Sequence, residues 1–119
     1  MKIAITSRGI DLSSQVDPRF GRAPYILIVD TETMEYETLD NSTNAGAFKG
    51  AGIQAATMIH NKGAEVLMTG YCGPKAFQTL QVAGIKVLSD ITGTISKVIE
   101  QYKIGDMVVA EKPNAEAHW

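Results

Sequence analysis

The chain has 119 residues, the size of one domain, with a core large enough to be stable without disulfides. Eleven basic and thirteen acidic side chains give a net charge of −2, which argues against a dedicated nucleic-acid-binding protein. The single cysteine excludes an intramolecular disulfide and a chain-internal site of four thiolates, and it is typical of a reducing compartment.

The N-terminal segment, residues 1–6, is too short and too polar at its flanks for a signal peptide. No apolar run approaches the roughly 18 residues that a membrane-spanning helix needs. We therefore expect a soluble cytoplasmic protein that makes no contact with membranes.

The first half of the chain predicts three strands. Residues 2–6 alternate apolar and polar side chains, and residues 25–29 form a continuous apolar run typical of a buried strand. Between them lies a long polar loop, residues 7–22, which an Asp-Pro pair at 17–18 interrupts. Residues 34–37 alternate again, so a third strand with one solvent-facing side follows a short hairpin turn.

The second half predicts helices that alternate with short strands. After a loop at residues 41–50, the pattern gives helix 51–62, strand 66–68, helix 74–83, strand 85–88 and a helix from residue 95 that ends at Gly105. Gly63 and Gly84 follow the first two helices as stop signals, and Pro74 occupies the first position of the second. Residues 111–119 are polar, and we expect them to form a mobile tail.

This order, β-β-β-α-β-α-β-α, predicts an α/β domain over residues 1–110 with a mixed five-stranded sheet and helices on both faces. Right-handed crossovers place the loops after strands one, four and five, residues 7–22, 70–73 and 89–92, at one sheet edge. Ligands of open α/β sheets favour that edge, and the 41–50 loop leads towards it.

The segment Thr-Gly-Tyr-Cys-Gly-Pro-Lys-Ala-Phe, residues 69–77, is the strongest candidate site. A glycine-flanked turn followed by a helix that opens on proline presents backbone N–H groups, which favour an anion. The helix dipole and Lys75 are expected to stabilise a Cys72 thiolate, a soft ligand for copper or molybdenum. The alternative is that Cys72 is a small buried turn residue.

Two arginines flank Phe20 and Gly21. Arg19 and Arg22 are candidates for a clamp on an anionic ligand, because guanidinium groups supply charge-assisted donors. The alternative is that they form salt bridges with Asp11 or Asp17.

The 41–50 loop carries weaker candidates. Gly46 and Gly50 either let the backbone approach a bulky ligand or serve turn geometry alone, whereas Gly52 favours helix packing. Lys49 either reaches an anion or faces solvent. We expect His60 to be a surface residue of the first helix.

An enzymatic role is not expected. A two-metal nuclease needs converging carboxylates, and the first strand offers none. Cys72 has no evident His–Asp partners, and the glycine-rich turn lacks the lysine–serine pair of a P-loop.

Three segments together resemble a known family. They are Phe-Gly-Arg-Ala-Pro-Tyr at 20–25, Gly-Ala-Gly-Ile-Gln-Ala-Ala at 50–56, and Thr-Gly-x-x-Gly-Pro-x-Ala-Phe at 69–77. In this order they resemble the dinitrogenase iron–molybdenum cofactor biosynthesis family, which includes NifX, NafY, the C-terminal domain of NifB and the orange protein of sulfate reducers. The resemblance covers about residues 1–105.

The resemblance implies a ribonuclease-H-like fold and a non-enzymatic carrier of an anionic metal–sulfur cluster, either a molybdenum–copper sulfide held mainly noncovalently or an iron–molybdenum cofactor precursor. Cofactor-assembly or redox proteins are the implied partners. With the arguments above, the predicted cluster-binding residues are Arg19, Phe20, Gly21, Arg22, Gly46, Lys49, Gly50, Tyr71, Cys72, Gly73, Pro74 and Lys75.

Two points stay open. Relatives that deliver cofactors to nitrogenase often use a site histidine, whereas His60 falls inside a predicted helix and His118 in the tail. The alternative function is a regulatory module that binds a small molecule or a nucleotide phosphate at the same helix N-termini.

Overall fold

The computed structural model describes residues 1–47, 49–105 and 107–115. The elements in chain order are β1 (Lys2–Ser7), β2 (Tyr25–Asp30), β3 (Tyr36–Asp40), α1 (Ser42–Ala45), α2 (Ala51–Asn61), β4 (Val66–Met68), α3 (Pro74–Val82), β5 (Lys86–Leu88) and α4 (Ile95–Lys103). None of the helices in these ranges has the length and apolar character that crossing a bilayer requires.

The five strands form one mixed sheet in the order β3-β2-β1-β4-β5. The central strand β1 runs antiparallel to β2, where Ile5 lies opposite Leu27, and parallel to β4, where Ile5 lies opposite Met68. The predicted mixed five-stranded sheet is confirmed. Because β1 and β4 are parallel, the loops that follow them meet at one edge of the sheet.

The sheet has a core on each face. Because side chains alternate along a strand, Ala4 points to one face, while Ile3 and Ile5 point to the other. On the first face α2 and α3 pack through Ala55, Ala56, Ile59, Ala76, Phe77 and Leu80. On the second face α4 packs through Ile95, Val98 and Ile99.

The helix ends follow the sequence signals closely. Both α2 and α3 begin at the predicted residue, and each ends within one residue of the prediction. Gly63 and Gly84 follow these helices with φ of 82° and 76°, in the left-handed region that glycine adopts without steric strain.

Two features differ from the prediction. The short helix α1 adds an element to the predicted order, and its four residues include no buried side chain, so no apolar periodicity marks it. Strand β3 begins at Tyr36 rather than at residue 34. Met34 has φ of 62° and donates its N–H to the Asp30 carbonyl at 2.8 Å, which places it in the preceding turn.

Candidate functional site

The loop after β1 is bound to the turn after β4. The N–H of Phe20 donates to the Tyr71 carbonyl at 3.1 Å, and the N–H of Tyr71 donates to the Pro18 carbonyl at 2.6 Å. Arg19 and Tyr71 thereby form a short parallel bridge. Two of the three segments that carry the family resemblance are therefore in direct contact, at the predicted edge of the sheet.

Glycines occupy close contacts within and beside the three segments. A Cβ on Gly70 would lie 2.7 Å from the Pro18 Cα, and one on Gly21 would lie 2.7 Å from the Gly52 nitrogen. A Cβ on Gly52 would lie 2.8 Å from that of Ala76 on α3. Because real Cβ atoms do not approach other atoms this closely, these positions need glycine, and the packing role expected for Gly52 is confirmed.

This packing brings the N-termini of α2 and α3 together. They enclose a small space of about 40 Å³, here called the N-terminal cleft, lined by Gly50, Ala51, Gly52, Ile53, Gly73, Lys75 and Ala76. Within the described residues, neither helix start has a side-chain cap or an acidic residue in its first turn. Both starts therefore direct uncapped N–H groups and positive dipole ends to one place, which favours an anion.

The size of the N-terminal cleft limits how it can bind. A space of about 40 Å³ admits the edge of a ligand but cannot enclose a large one. A larger cleft of about 520 Å³ lies at the end of β5, where Asp90 is the charged group in its lining. The charge of Asp90 disfavours an anion there, so the N-terminal cleft is the better candidate despite its size.

Arg22 holds the loop that leads into α2. Its Nη1 donates to the carbonyls of Ala45 at 2.9 Å and Ala47 at 2.7 Å, at the C-terminal end of α1. Among the described residues, Arg22 forms no salt bridge with Asp11 or Asp17, the alternative role given for the two arginines. Binding of an anion by Arg22 stays a prediction. Its guanidinium also joins the loop after β1 to the loop after α1.

Arg19 forms the salt bridge expected as its alternative role. Its Nε lies 3.6 Å from Oδ1 of the buried Asp17, and its backbone N–H donates to the same oxygen at 2.9 Å. About half of the Arg19 side chain is exposed, so the guanidinium still adds positive charge to this rim. Contact with a ligand stays a prediction for Arg19.

Cys72 lies in the core. Its side chain is 1% exposed and belongs to the apolar cluster beneath α2 and α3, and its Sγ donates weakly to the Gly73 carbonyl at 3.8 Å. The expected stabilisation of a thiolate is wrong, because burial raises the pKa of the Cys72 thiol to about 12. The observed position matches the alternative of a small buried turn residue, and metal ligation by Cys72 stays an untested prediction.

Among the remaining predicted residues, Gly50 and Lys75 belong to the lining of the N-terminal cleft, whereas Gly46, Phe20 and Lys49 do not. Gly50 has φ of 81° with no atom near its Cβ direction, so backbone conformation explains the glycine. Gly46 has φ of −85°, which any residue adopts. Phe20 is buried under the loop, whereas Lys49 and Lys75 are exposed.

Other predicted positions lie around or away from the cleft. Pro74 is the first residue of α3, and Tyr71 is 42% exposed. His60 is on the exposed surface of α2, as predicted, and His118 lies outside the described residues. Across the described part of the chain, no three His, Cys, Asp or Glu side chains come together as a metal site.

Asn114 is a site residue that the sequence did not indicate. Its Oδ1 accepts the N–H of Cys72 at 2.8 Å, and its Nδ2 donates to the Gly70 carbonyl at 2.9 Å. The sequence predicts a mobile tail from residue 111, yet Asn114 is bound to the turn before α3. A single asparagine in a polar segment has no periodicity that could reveal such a contact.

The comparisons with known proteins agree with the three motifs. The family model described as dinitrogenase iron–molybdenum cofactor matches residues 1–105, so the chain belongs to this family. The chain is similar to the apo form of the orange protein from Desulfovibrio gigas, with 46% identity, coverage of 96% of both chains and a TM-score of 0.93.

Two further relatives extend this similarity. A candidate NifB protein from Thermotoga is 36% identical, with coverage of 96% of this chain and 97% of its own, and a TM-score of 0.82. An uncharacterised protein of Methanocaldococcus jannaschii is 31% identical over 110 residues, which are 90% of this chain and 89% of that one.

Proposed function

We propose that this protein is a non-enzymatic carrier of an anionic metal–sulfur cluster, which it holds mainly noncovalently at the mouth of the N-terminal cleft. The observation that carries the proposal is the pair of uncapped helix N-termini in a chain that belongs to the iron–molybdenum cofactor family. The 46% identity with the orange protein over 96% of both chains supports the same role.

The chemistry of the cleft suits such a cargo. A metal–sulfide anion spreads its charge over a large, soft surface, so several weak N–H donors and a few cations match it better than one strong ligand. Lys75 lines the cleft, and the exposed Lys49 and Arg19 lie on neighbouring segments. In this arrangement the protein binds the anion through positive charges and N–H donors, and it needs no thiolate from Cys72.

The finer parts of the proposal come from the family. The cargo is a molybdenum–copper sulfide or a precursor of the iron–molybdenum cofactor, and the partners are cofactor-assembly or redox proteins in the cytoplasm. The ribonuclease-H-like label for the fold belongs to the same proposal, and the mixed sheet with helices on both faces is compatible with it.

The test is metal analysis with a visible spectrum on protein purified without oxygen, repeated after addition of tetrathiomolybdate and copper. We expect stoichiometric molybdenum and copper with charge-transfer bands that persist after gel filtration. Protein that stays colourless and free of metal under both conditions would contradict the proposal. Thermal stabilisation by nucleotides, but not by thiometallates, would favour the phosphate-binding module instead.

A further inference from the structure

The C-terminal segment crosses the edge of the sheet and reaches the candidate site. We call residues 107–115 the strap. The N–H of Ala110 donates to the Val87 carbonyl on β5 at 2.7 Å, and four residues later Asn114 lies against the turn between β4 and α3. The strap thus connects the outer strand of the sheet to the residues just before the N-terminal cleft.

Asn114 fastens the end of the strap with four hydrogen bonds. Its backbone N–H donates to the Cys72 carbonyl at 3.1 Å, while its Oδ1 accepts the Cys72 N–H at 2.8 Å. Its Nδ2 donates to the Gly70 carbonyl at 2.9 Å and to Asp90 Oδ1 at 3.2 Å. The Asn114 side chain therefore joins the turns after β4 and β5, and Asn114 satisfies both backbone groups of Cys72, one through its side chain and one through its own N–H.

The rest of the strap is held loosely. Val108 is 87% exposed, and Glu111 and Lys112 are also exposed, while Met107 and Ala110 pack only partly against the two cores. A segment that buries little apolar surface opens at a free energy well below that of global unfolding. The bonds of Asn114 are then the main resistance to detachment of this end of the strap.

Cys72 is bonded to this attachment through its backbone N–H and its carbonyl. The apolar cluster that contains Cys72 also contains Phe77 and Val87, and Ala110 of the strap packs against the same cluster. Detachment of the strap removes Ala110 from this cluster and Asn114 from both backbone groups of Cys72. The Cys72 N–H would then be free, and we expect the thiol to lose part of the packing that shields it.

We propose that the strap is a gate over Cys72 and that Asn114 is its latch. In the closed state described here, the thiol is sealed in the core and the Cys72 N–H is occupied by Asn114. In the open state the Cys72 N–H is free and the thiol is within reach of solvent. This gate does not depend on the identity of any cargo.

The single cysteine of the chain makes opening measurable. Under native conditions, the Cys72 thiolate attacks 4,4′-dithiodipyridine, forms a mixed disulfide and releases one 4-thiopyridone, which is followed by absorbance. Asn114→Ala removes three side-chain hydrogen bonds, and we expect it to accelerate the reaction about 10- to 100-fold. Lys112→Ala, an exposed position on the same strap, is the matched control and should react at the wild-type rate.

The urea dependence of the reaction separates local opening from global unfolding. Below the unfolding transition, opening of the strap exposes little surface, so the logarithm of the rate should hardly change with urea. A slope equal to the equilibrium m-value would mean that Cys72 reacts only in the unfolded chain, and this would overturn the gate. A wild-type rate in Asn114→Ala, or equal acceleration in Lys112→Ala, would overturn the latch. No cluster is present in this experiment, so its failure is distinct from failure of the proposed carrier function.

Discussion

Gly52 and Ala76 bring the N-termini of α2 and α3 into direct contact. A Cβ at position 52 would lie 2.8 Å from the Ala76 Cβ, closer than two carbon atoms pack. Both residues also line the N-terminal cleft, so the shape of the cleft depends on this approach of the two helices.

Gly52→Ala should therefore destabilise the fold. We expect a loss of about 1–3 kcal/mol in the free energy of unfolding, as for other overpacked cores, measured by urea denaturation. Ala76→Gly should cost about 1–2 kcal/mol through helix propensity and the loss of a buried methyl group. The double variant should recover much of the Gly52→Ala loss because the clash is gone. Strictly additive losses would show that the two positions do not touch.

The two arginines should differ in their contribution to stability. Arg22→Ala removes two charge-assisted hydrogen bonds to the carbonyls of Ala45 and Ala47, and we expect a loss of about 1.5–3 kcal/mol. Arg19→Ala removes a long ion pair from a half-exposed side chain, and the expected loss is about 1 kcal/mol or less. Urea denaturation of both variants in one buffer makes the comparison, and equal losses would argue against the structural role of Arg22.

The buried thiol of Cys72 should make stability fall at high pH. Burial raises the pKa of Cys72 from 9.0 to about 12, so the folded protein keeps a proton that the unfolded chain releases. The stabilisation is complete well below pH 9 and is lost as the pH rises towards 12, with a slope that approaches about 1.4 kcal/mol per pH unit between the two pKa values.

The matched comparison for this prediction is Cys72→Ala. Other groups titrate equally in both proteins, so the difference between their free energies of unfolding isolates the thiol. We expect the wild type to lose about 1 kcal/mol more than the variant between pH 9 and pH 10, because the unfolded thiol is already half ionised at pH 9. Parallel pH profiles would mean that the thiol is exposed to solvent in the folded state.

Charge reversal at the N-terminal cleft should weaken uptake of a thiometallate. Lys75→Glu places a carboxylate at the start of α3, where it opposes an anion, and we expect about 5- to 20-fold weaker binding. Lys97→Glu makes the same change in net charge on α4, against the other face of the sheet, and should have little effect.

Titration of tetrathiomolybdate and copper, followed by visible absorbance at two salt concentrations, gives both affinities. The difference between the lysine variants should shrink as salt rises, because the interaction at the exposed cleft is screened. Equal losses in Lys75→Glu and Lys97→Glu would show that only the net charge matters, and this would remove the cleft from the proposed site.

Much of the fold follows from local sequence signals. Apolar periodicity marks α2 and α3, and Pro74 and Gly63 mark where helices begin and end. The β-α-β order then places the loops after β1 and β4 at one edge, so the region of the candidate site is also predictable.

The contacts within the site are less predictable, because they join residues far apart in the chain. Asp17, buried with a bond to Arg19, and Asn114, bound to Cys72, depend on how loops pack after the sheet has formed. The burial of Cys72 has the same origin, since a turn residue and a core residue share the local pattern of this segment. The sequence therefore predicts the position of this turn but not the burial of the Cys72 thiol.

The composition of the N-terminal cleft has a consequence for mutagenesis. Peptide N–H groups of the two helix starts belong to the main chain, so no side-chain substitution removes them. On the proposed function, the cleft should therefore keep part of its attraction for an anion when Lys75 is replaced.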